Sequence, residues 1–189
     1  MNPMKQPRVS ALLASVLLAP LTNYAAAQEP HTHAAHTTPA PTGATYAGQQ
    51  TRVIKALSQQ ETQDLMDGKG LGLAKAAELN GYPGPMHTLE HADAMKLTSE
   101  QRDQTRELLV KHKAAVKALG AQLVEAEKAL DTAFAERRMT NARLTAMTND
   151  IGHLQAIIRA EHLRTHLEQT ALLSALQVNQ YKALRGYVN

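Results

Sequence analysis

Apolar residues recur at alternating intervals of three and four along two long stretches of the chain. The first stretch runs from Thr98 to about Arg138, and the second runs from Thr140 to about Leu172. Such spacing places apolar side chains on one face of a helix that packs along another helix. Because only a short break at Met139-Thr140-Asn141 separates the stretches, the pattern predicts two long helices folded into an antiparallel hairpin. The predicted seam contains Leu109, His112, Val116, Leu119, Leu123, Ala126, Leu130 and Ala133 in the first helix and Leu144, Met147, Ile151, Leu154 and Ile158 in the second.

Shorter helices are predicted on both sides of this hairpin. Ser58 and Glu61 have the spacing of a capping box, and Gly68 is a predicted helix stop. Further short helices are expected over residues 71–80 and 87–96, and a last one is expected to end near Tyr187. No segment alternates convincingly with period two, so the predicted fold class is all-α: a long helical hairpin with short flanking helices over residues 58–189.

The N-terminus has the pattern of an export signal. Lys5 and Arg8 precede a short apolar run, and Ala25-Ala26-Ala27 supplies small residues at a cleavage position before Gln28. Residues 1–27 are therefore interpreted as a signal peptide, and the mature chain is expected outside the cytoplasm with no membrane insertion after cleavage. The alternative is an uncleaved anchor, for which the apolar run is short.

Residues 28–57 are predicted to form a disordered leader, because they are rich in Pro, Thr, Ala, Gly and His and lack apolar periodicity over most of their length. His31, His33 and His36 lie in this leader. Neutral imidazoles bind zinc, copper or nickel, and a flexible chain lets several converge on one ion. The alternative is a compositional accident in a linker.

Composition and charge exclude several classes of function. The chain has no Cys, which excludes disulfides, thiolate zinc sites, iron–sulfur ligation and a lipoprotein anchor. The 20 basic side chains fall to 18 without Lys5 and Arg8, against 17 acidic ones, so nucleic-acid binding is not expected. Gly68-Lys69-Gly70-Leu71-Gly72 has no preceding strand and no following Lys-Ser/Thr, and no nucleophile elbow is present, so an enzyme is not expected.

Two five-residue segments bracket the predicted hairpin and share a pattern. In each, a Thr or Ser can cap a helix while the Gln three residues later reaches back to the capping residue. The segments are Leu97-Thr98-Ser99-Glu100-Gln101 and Leu173-Ser174-Ala175-Leu176-Gln177. The first fits the LTxxQ motif, and the second is a copy with Ser in place of Thr. With the export signal and the hairpin, they resemble the Spy/CpxP family, whose relatives are the ZraP-like and CnrX-like metal-responsive proteins.

This resemblance implies a hooked helical hairpin that pairs into a cradle-shaped homodimer in the periplasm. Spy-like members bind unfolding client proteins without ATP, and ZraP-like members also bind zinc. The expected function is therefore that of an envelope-stress or heavy-metal-responsive protein that acts as an ATP-independent chaperone and binds zinc, nickel or copper ions, with no obligatory cofactor. The alternative is a regulatory periplasmic metal sensor that contacts a membrane sensor kinase or anti-sigma factor.

Three histidines of the predicted hairpin form a second candidate metal site. His162 and His166 are four residues apart and share a helix face. With the hairpin turn near Met139, His166 is expected opposite His112, which brings three imidazoles to one level. The alternative is that they are partly exposed histidines beside the seam, each with an ordinary hydrogen-bond partner.

Apolar residues beside the seam are candidates for client binding. A two-helix hairpin cannot bury every apolar face, and Lys and Arg residues flank these positions, so charge would favour encounter and apolar area would retain an unfolded chain. The candidates are Leu108, Val110, Ile157, Leu163 and Leu167. The alternative is that the same residues form the dimer interface.

Overall fold

The computed structural model describes residues 45–187, which belong to one compact unit. Within this range the regular structure is helical and no strand occurs, which confirms the predicted all-α class. A short 3-10 turn, Gln49–Thr51, precedes six helices: α1 (Gln59–Met66), α2 (Lys75–Glu78), α3 (Pro85–Glu90), α4 (Ser99–Ala135), α5 (Asn141–Ala171) and α6 (Ala175–Leu184). In the described range, none of these helices combines the length and apolar character that a membrane crossing requires.

Side-chain caps form at the starts of four helices, and three of them are the capping pairs predicted from the sequence. Reciprocal capping boxes join Ser58 to Glu61, Thr98 to Gln101 and Ser174 to Gln177. In each box, the hydroxyl accepts from the backbone N–H three residues later, and the longer side chain accepts from the N–H of the capping residue. The Thr140 hydroxyl caps α5 by accepting from the backbone N–H of Arg143. These local interactions set the starts of α1, α4, α5 and α6.

Helices α4 and α5 lie along each other and carry the main core. The His112 ring contacts the Thr165 hydroxyl, and the Gln169 amide donates to the Thr105 hydroxyl at 3.2 Å. Contacting residue numbers rise along one helix as they fall along the other, so the two helices run in opposite directions. The buried residues of this core are Ile54, Leu65, Leu123, Val124, Ile151 and Ile158.

The short helices cover one side of this helix pair, which we call the covered side. α1 packs on α4, α2 on α5, and α3 on both. At Gly120 in α4, a Cβ atom would press against the carbonyl group of Leu65, with the carbonyl carbon only 2.8 Å away. Only glycine allows the end of α1 to approach α4 this closely.

A second core holds α6 against the approach to α4. Tyr181 and Met95 are fully buried there, together with Ala92 and Leu97. Leu97 is the residue before the cap of α4, so the first copy of the motif also supplies a core side chain. α6 is therefore anchored by an aromatic residue near its middle.

The structure differs from the sequence prediction in several boundaries. Part of the segment assigned to the disordered leader packs on the helices: Ile54 is buried in the main core and Lys55 pairs with Asp131, whereas residues 45–48 are exposed. The helix expected over residues 71–80 is confined to α2, because Leu71 and Gly72 adopt positive φ angles that interrupt a helix. The helix expected at 87–96 starts earlier, since Pro85 occupies a first-turn position that suits its fixed φ.

Candidate functional site

A cleft of about 630 Å³ opens on the covered side of the helix pair. The loop of residues 68–72 and the start of α3 form one part of its wall, and α4 and α5 form another. Its polar lining includes His112 from α4, His162 and His166 from α5, and Glu78 at the end of α2. The structure thus brings together the three histidines that the hairpin pattern predicts at one level. We call this space the histidine cleft.

Hydrogen bonds orient the ring of His166. Its Nδ1 lies 2.7 Å from the carbonyl oxygen of Tyr82, in the turn before α3. A carbonyl oxygen only accepts, so Nδ1 of the neutral ring carries the hydrogen and Nε2 holds the free lone pair. This is the arrangement by which a backbone carbonyl orients a metal-binding imidazole. Gly84 lies against the Nε2 edge of the ring, where a Cβ atom would be 3.1 Å from Nε2.

The ring of His112 is oriented in the same sense by a different partner. Its Nδ1 is 2.9 Å from the hydroxyl oxygen of Thr165. That hydroxyl donates its hydrogen to the carbonyl of Glu161, also at 2.9 Å. The oxygen must therefore accept from His112 Nδ1–H, which leaves Nε2 of His112 as the lone-pair nitrogen. The Thr165 hydroxyl and the Glu161 carbonyl, both in α5, thus fix the orientation of His112 on α4.

His162 is the most buried of the three histidines, with 5% of its surface exposed. Its ring meets that of His112 edge to face, with ring centroids 4.7 Å apart. Its Nε2 is buried and has no hydrogen-bond partner among residues 45–187. Burial, with smaller contributions from His112 and His166, lowers the pKa of His162 to about 4, and burial also lowers the pKa of His112. Both rings are therefore neutral near pH 7, which is the state that binds metals.

Glu78 connects the cleft to α6. Its Oε1 accepts from the hydroxyl of the buried Tyr181 at 2.6 Å and from Arg185 Nε at 3.4 Å. Its Oε2 is buried, has no hydrogen-bond partner in the described part of the chain and lies 3.7 Å from Nδ1 of His166. Burial and the neighbouring Glu78 carboxylate raise the pKa of Tyr181 above its ordinary value, so its hydroxyl stays a donor.

The donor set suits a borderline divalent metal, but the side chains surround the cleft rather than converge on one point. Among residues 45–187, no three His, Asp or Glu side chains are placed closely enough to hold an ion without moving. Imidazole nitrogens with free lone pairs and a carboxylate are nonetheless the ligands that zinc and nickel accept. Rotations of these side chains would be needed to bring three donors onto one ion.

Glu78 and Tyr181 were not singled out from the sequence. Glu78 belongs to a helix of four residues, and Tyr181 lies over 100 residues further along the chain. No periodicity or spacing links two such positions. The second candidate metal group, His31, His33 and His36, lies outside the described residues.

The two copies of the five-residue motif meet in space. The Gln101 amide nitrogen donates to the side-chain oxygen of Gln177 at 3.0 Å, and the Gln177 amide nitrogen donates back at 2.9 Å. The Gln101 amide also donates to the carbonyl of Leu172 at 2.8 Å. Each oxygen still accepts from the N–H of its own cap, Thr98 or Ser174. The pair therefore joins the start of α4 to the start of α6, with Leu97 buried and Leu173 half-buried beside it.

The candidate client-binding residues differ in exposure. Val110 and Leu167 are 68% and 56% exposed, respectively. Leu108, Ile157 and Leu163 are half-buried. Leu163 and Leu167 are four residues apart on α5 and therefore share a face. Of the five candidates, Val110 and Leu167 are therefore the most available for contact with another chain, and other apolar side chains such as Phe134 and Leu176 are also exposed.

Comparisons with known proteins return no relative. No protein-family model matches the chain, and neither the curated proteins nor the solved structures searched give a match. A functional conclusion must therefore come from the motifs and from the geometry of the histidine cleft.

Proposed function

We propose that this chain is an exported, heavy-metal-responsive stress protein of the Spy/CpxP type that binds zinc, nickel or copper in the histidine cleft. The observation that carries the proposal is the shared orientation of His112 and His166, whose Nδ1 atoms are engaged and whose Nε2 atoms are left as lone-pair donors. The unpartnered Nε2 of the buried His162 adds a third donor in the same cleft. Leaving a buried polar atom unpaired costs about 1–3 kcal/mol, which a bound ion would offset.

The Spy/CpxP assignment is supported by the pairing of the two motifs. Their glutamines bond to each other as well as to their own caps, so the motif has a structural reason to occur twice. In the proposed assembly the hooked hairpin pairs into a cradle-shaped homodimer in the periplasm. Unfolded periplasmic proteins are the proposed clients, and the exposed Val110 and Leu167 are the proposed contacts.

Calorimetric titration of the purified protein with Zn²⁺ or Ni²⁺ tests the metal site. We expect His112→Ala and His166→Ala each to weaken binding by at least about 10-fold, because each removes an oriented ligand. The matched control is His153→Ala, which alters an exposed histidine of α5 outside the cleft. A combined His31→Ala, His33→Ala and His36→Ala variant reports separately on the leader. Unchanged affinity in both cleft variants would exclude the site.

Chaperone action is tested by aggregation of a chemically unfolded client in the absence of ATP and metal. We expect the wild-type protein to suppress aggregation and a Val110→Ser, Leu167→Ser double variant to suppress it less. Sedimentation of the same variant shows whether these residues instead form the dimer interface, since a shift to monomer would reassign them. Failure of the wild-type protein to protect any client would end the chaperone part of the proposal.

A regulatory metal sensor is the second candidate function, and one contact favours it. Glu78 joins the wall of the histidine cleft to Tyr181 and Arg185 of the C-terminal region. Ion binding in the cleft would therefore be transmitted to Arg185, whose partly exposed side chain is available to a membrane sensor protein. Tight stoichiometric binding without client protection would favour this role. Mass spectrometry of the exported protein tests its localisation, with Gln28 expected as the first residue.

A further inference from the structure

The Glu78 carboxylate has one oxygen that is held and one that is free. Oε1 accepts from Tyr181 and Arg185, whereas Oε2 is buried without a partner. The side chain is only 14% exposed, so water does little to satisfy the free oxygen. A buried anionic oxygen with no donor is costly, and such atoms persist where a ligand completes their surroundings.

The free oxygen belongs to the histidine cleft. It lies 3.7 Å from Nδ1 of His166, and both side chains line the same space. His162 supplies a second unpartnered buried atom in the lining, Nε2. Two lone-pair donors of different chemistry, nitrogen and oxygen, are therefore left open around one cavity. Arg185 contacts Oε1 rather than Oε2, and no Lys or Arg side chain of residues 45–187 pairs with Oε2, although three lysines also line the cleft.

We propose that Glu78 is a further metal ligand of the histidine cleft and that Tyr181 is the residue that positions it. This inference rests on the proposed metal-binding function and extends it to a mixed nitrogen and oxygen ligand set. Such a set selects divalent zinc, nickel or cobalt over Cu(I), which prefers the thiolate and thioether ligands absent from this group. The Tyr181 hydroxyl donates to the outer oxygen of Glu78 and leaves Oε2 to face the ion, as outer hydrogen bonds do in metal sites.

Zinc titration of Glu78→Gln tests the ligand directly. Gln keeps an oxygen that accepts from Tyr181 but loses the charge, so we expect the Zn²⁺ affinity to fall roughly 10- to 100-fold. Glu107→Gln is the matched control, because Glu107 is an exposed glutamate of α4 that pairs only with Lys111. Tyr181→Phe should give a smaller loss, since it frees the carboxylate to turn without removing it.

Binding of Co²⁺ in place of Zn²⁺ provides a spectrum that would not change if Glu78 had only a structural role. The visible absorption of bound Co²⁺ depends on its ligands, so Glu78→Gln and the shortened carboxylate of Glu78→Asp should each change the spectrum. Where circular dichroism shows that Glu78→Gln is misfolded, Glu78→Asp serves as the deciding variant. Wild-type affinity and an unaltered Co²⁺ spectrum in a folded Glu78 variant would overturn this inference. A metal affinity that is unchanged in both His112→Ala and His166→Ala would overturn the proposed function instead.

Discussion

The covered side of the helix pair and the opposite side, which we call the free side, can be compared through one glycine and one histidine of the long helices on each, because the two pairs have opposite surroundings. On the covered side, Gly120 is pressed against the Leu65 carbonyl and His162 is buried. On the free side, Gly152 has no atom within 4 Å of its missing Cβ, and His153 is exposed. The same residue types are thus tightly packed or buried on one side and exposed on the other.

This difference shows what the short helices contribute. α1, α2 and α3 add little core of their own, yet they convert one side of a simple helix pair into a cleft with buried donors. The loop that follows α1 reaches His162 at Gly70. Close approach between α1 and α4 is therefore expected to matter to the cleft, so variants on the two sides should behave differently.

The largest effect is expected from Gly120→Ala. The added methyl group would overlap the Leu65 carbonyl, which also accepts from the Gly68 N–H and cannot move away easily. We expect the free energy of unfolding to fall by about 2–3 kcal/mol, as in overpacked cores. Urea denaturation followed by circular dichroism measures this change. A variant as stable as wild type would show that α1 does not approach α4 in this way.

A smaller decrease in the free energy of unfolding is expected when the pH is lowered. The pKa of His162 is lowered to about 4 in the folded chain, against an ordinary value of 6.5. Between these two values the unfolded chain binds a proton that the folded chain does not, so the contribution of neutral His162 to the free energy of unfolding is present above pH 6.5 and is lost as the pH falls towards 4. Each pKa unit corresponds to about 1.4 kcal/mol, so a change from pH 7.5 to 5.5 should cost a little over about 1 kcal/mol. His162→Gln should flatten this dependence, whereas the free-side change His153→Gln should leave it unaltered. Equal slopes in both variants would contradict the burial of His162.

The smallest effect, with the opposite sign, is expected from Gly152→Ala. Its Cβ would meet open space, and alanine favours a helix over glycine by about 1 kcal/mol. The free energy of unfolding should therefore rise by about that amount in the same urea assay. Destabilisation by this substitution would mean that a contact covers the free side, such as a second copy of the chain.

Local signals predicted much of the architecture. The hydroxyl and Glu or Gln pairs that begin α1, α4 and α6 interact over three residues, so their spacing is visible in the sequence. The register of α4 and α5 was predicted less exactly: His166 was expected opposite His112, whereas the His112 ring contacts His162 and Thr165, up to one helical turn earlier on α5. Less could be predicted at the ends of the short helices, where single residues with positive φ, such as Leu71, decide the boundary.

The ligand surroundings could not be predicted, because they arise from contacts between distant segments. Tyr82 orients His166 across 84 residues, and Tyr181 reaches Glu78 across 103. Neither contact has a periodic or motif-like signal. Likewise, the burial of Ile54 depends on the surface that α4 and α5 form together, which the composition of residues 28–57 does not reveal.

The reciprocal Gln101–Gln177 bonds carry a consequence for how the fold opens. Helix ends fray more readily than helix centres, yet here the first turns of α4 and α6 share one pair of amides across 76 positions. Release of either first turn removes the bonds that hold the other, so the N-terminal turns of α4 and α6 unfold as one cooperative unit rather than independently. The segments that precede α4 and α6 would then become accessible to a protease together. Partial loss of α6 would likewise destabilise the start of α4, the longest helix.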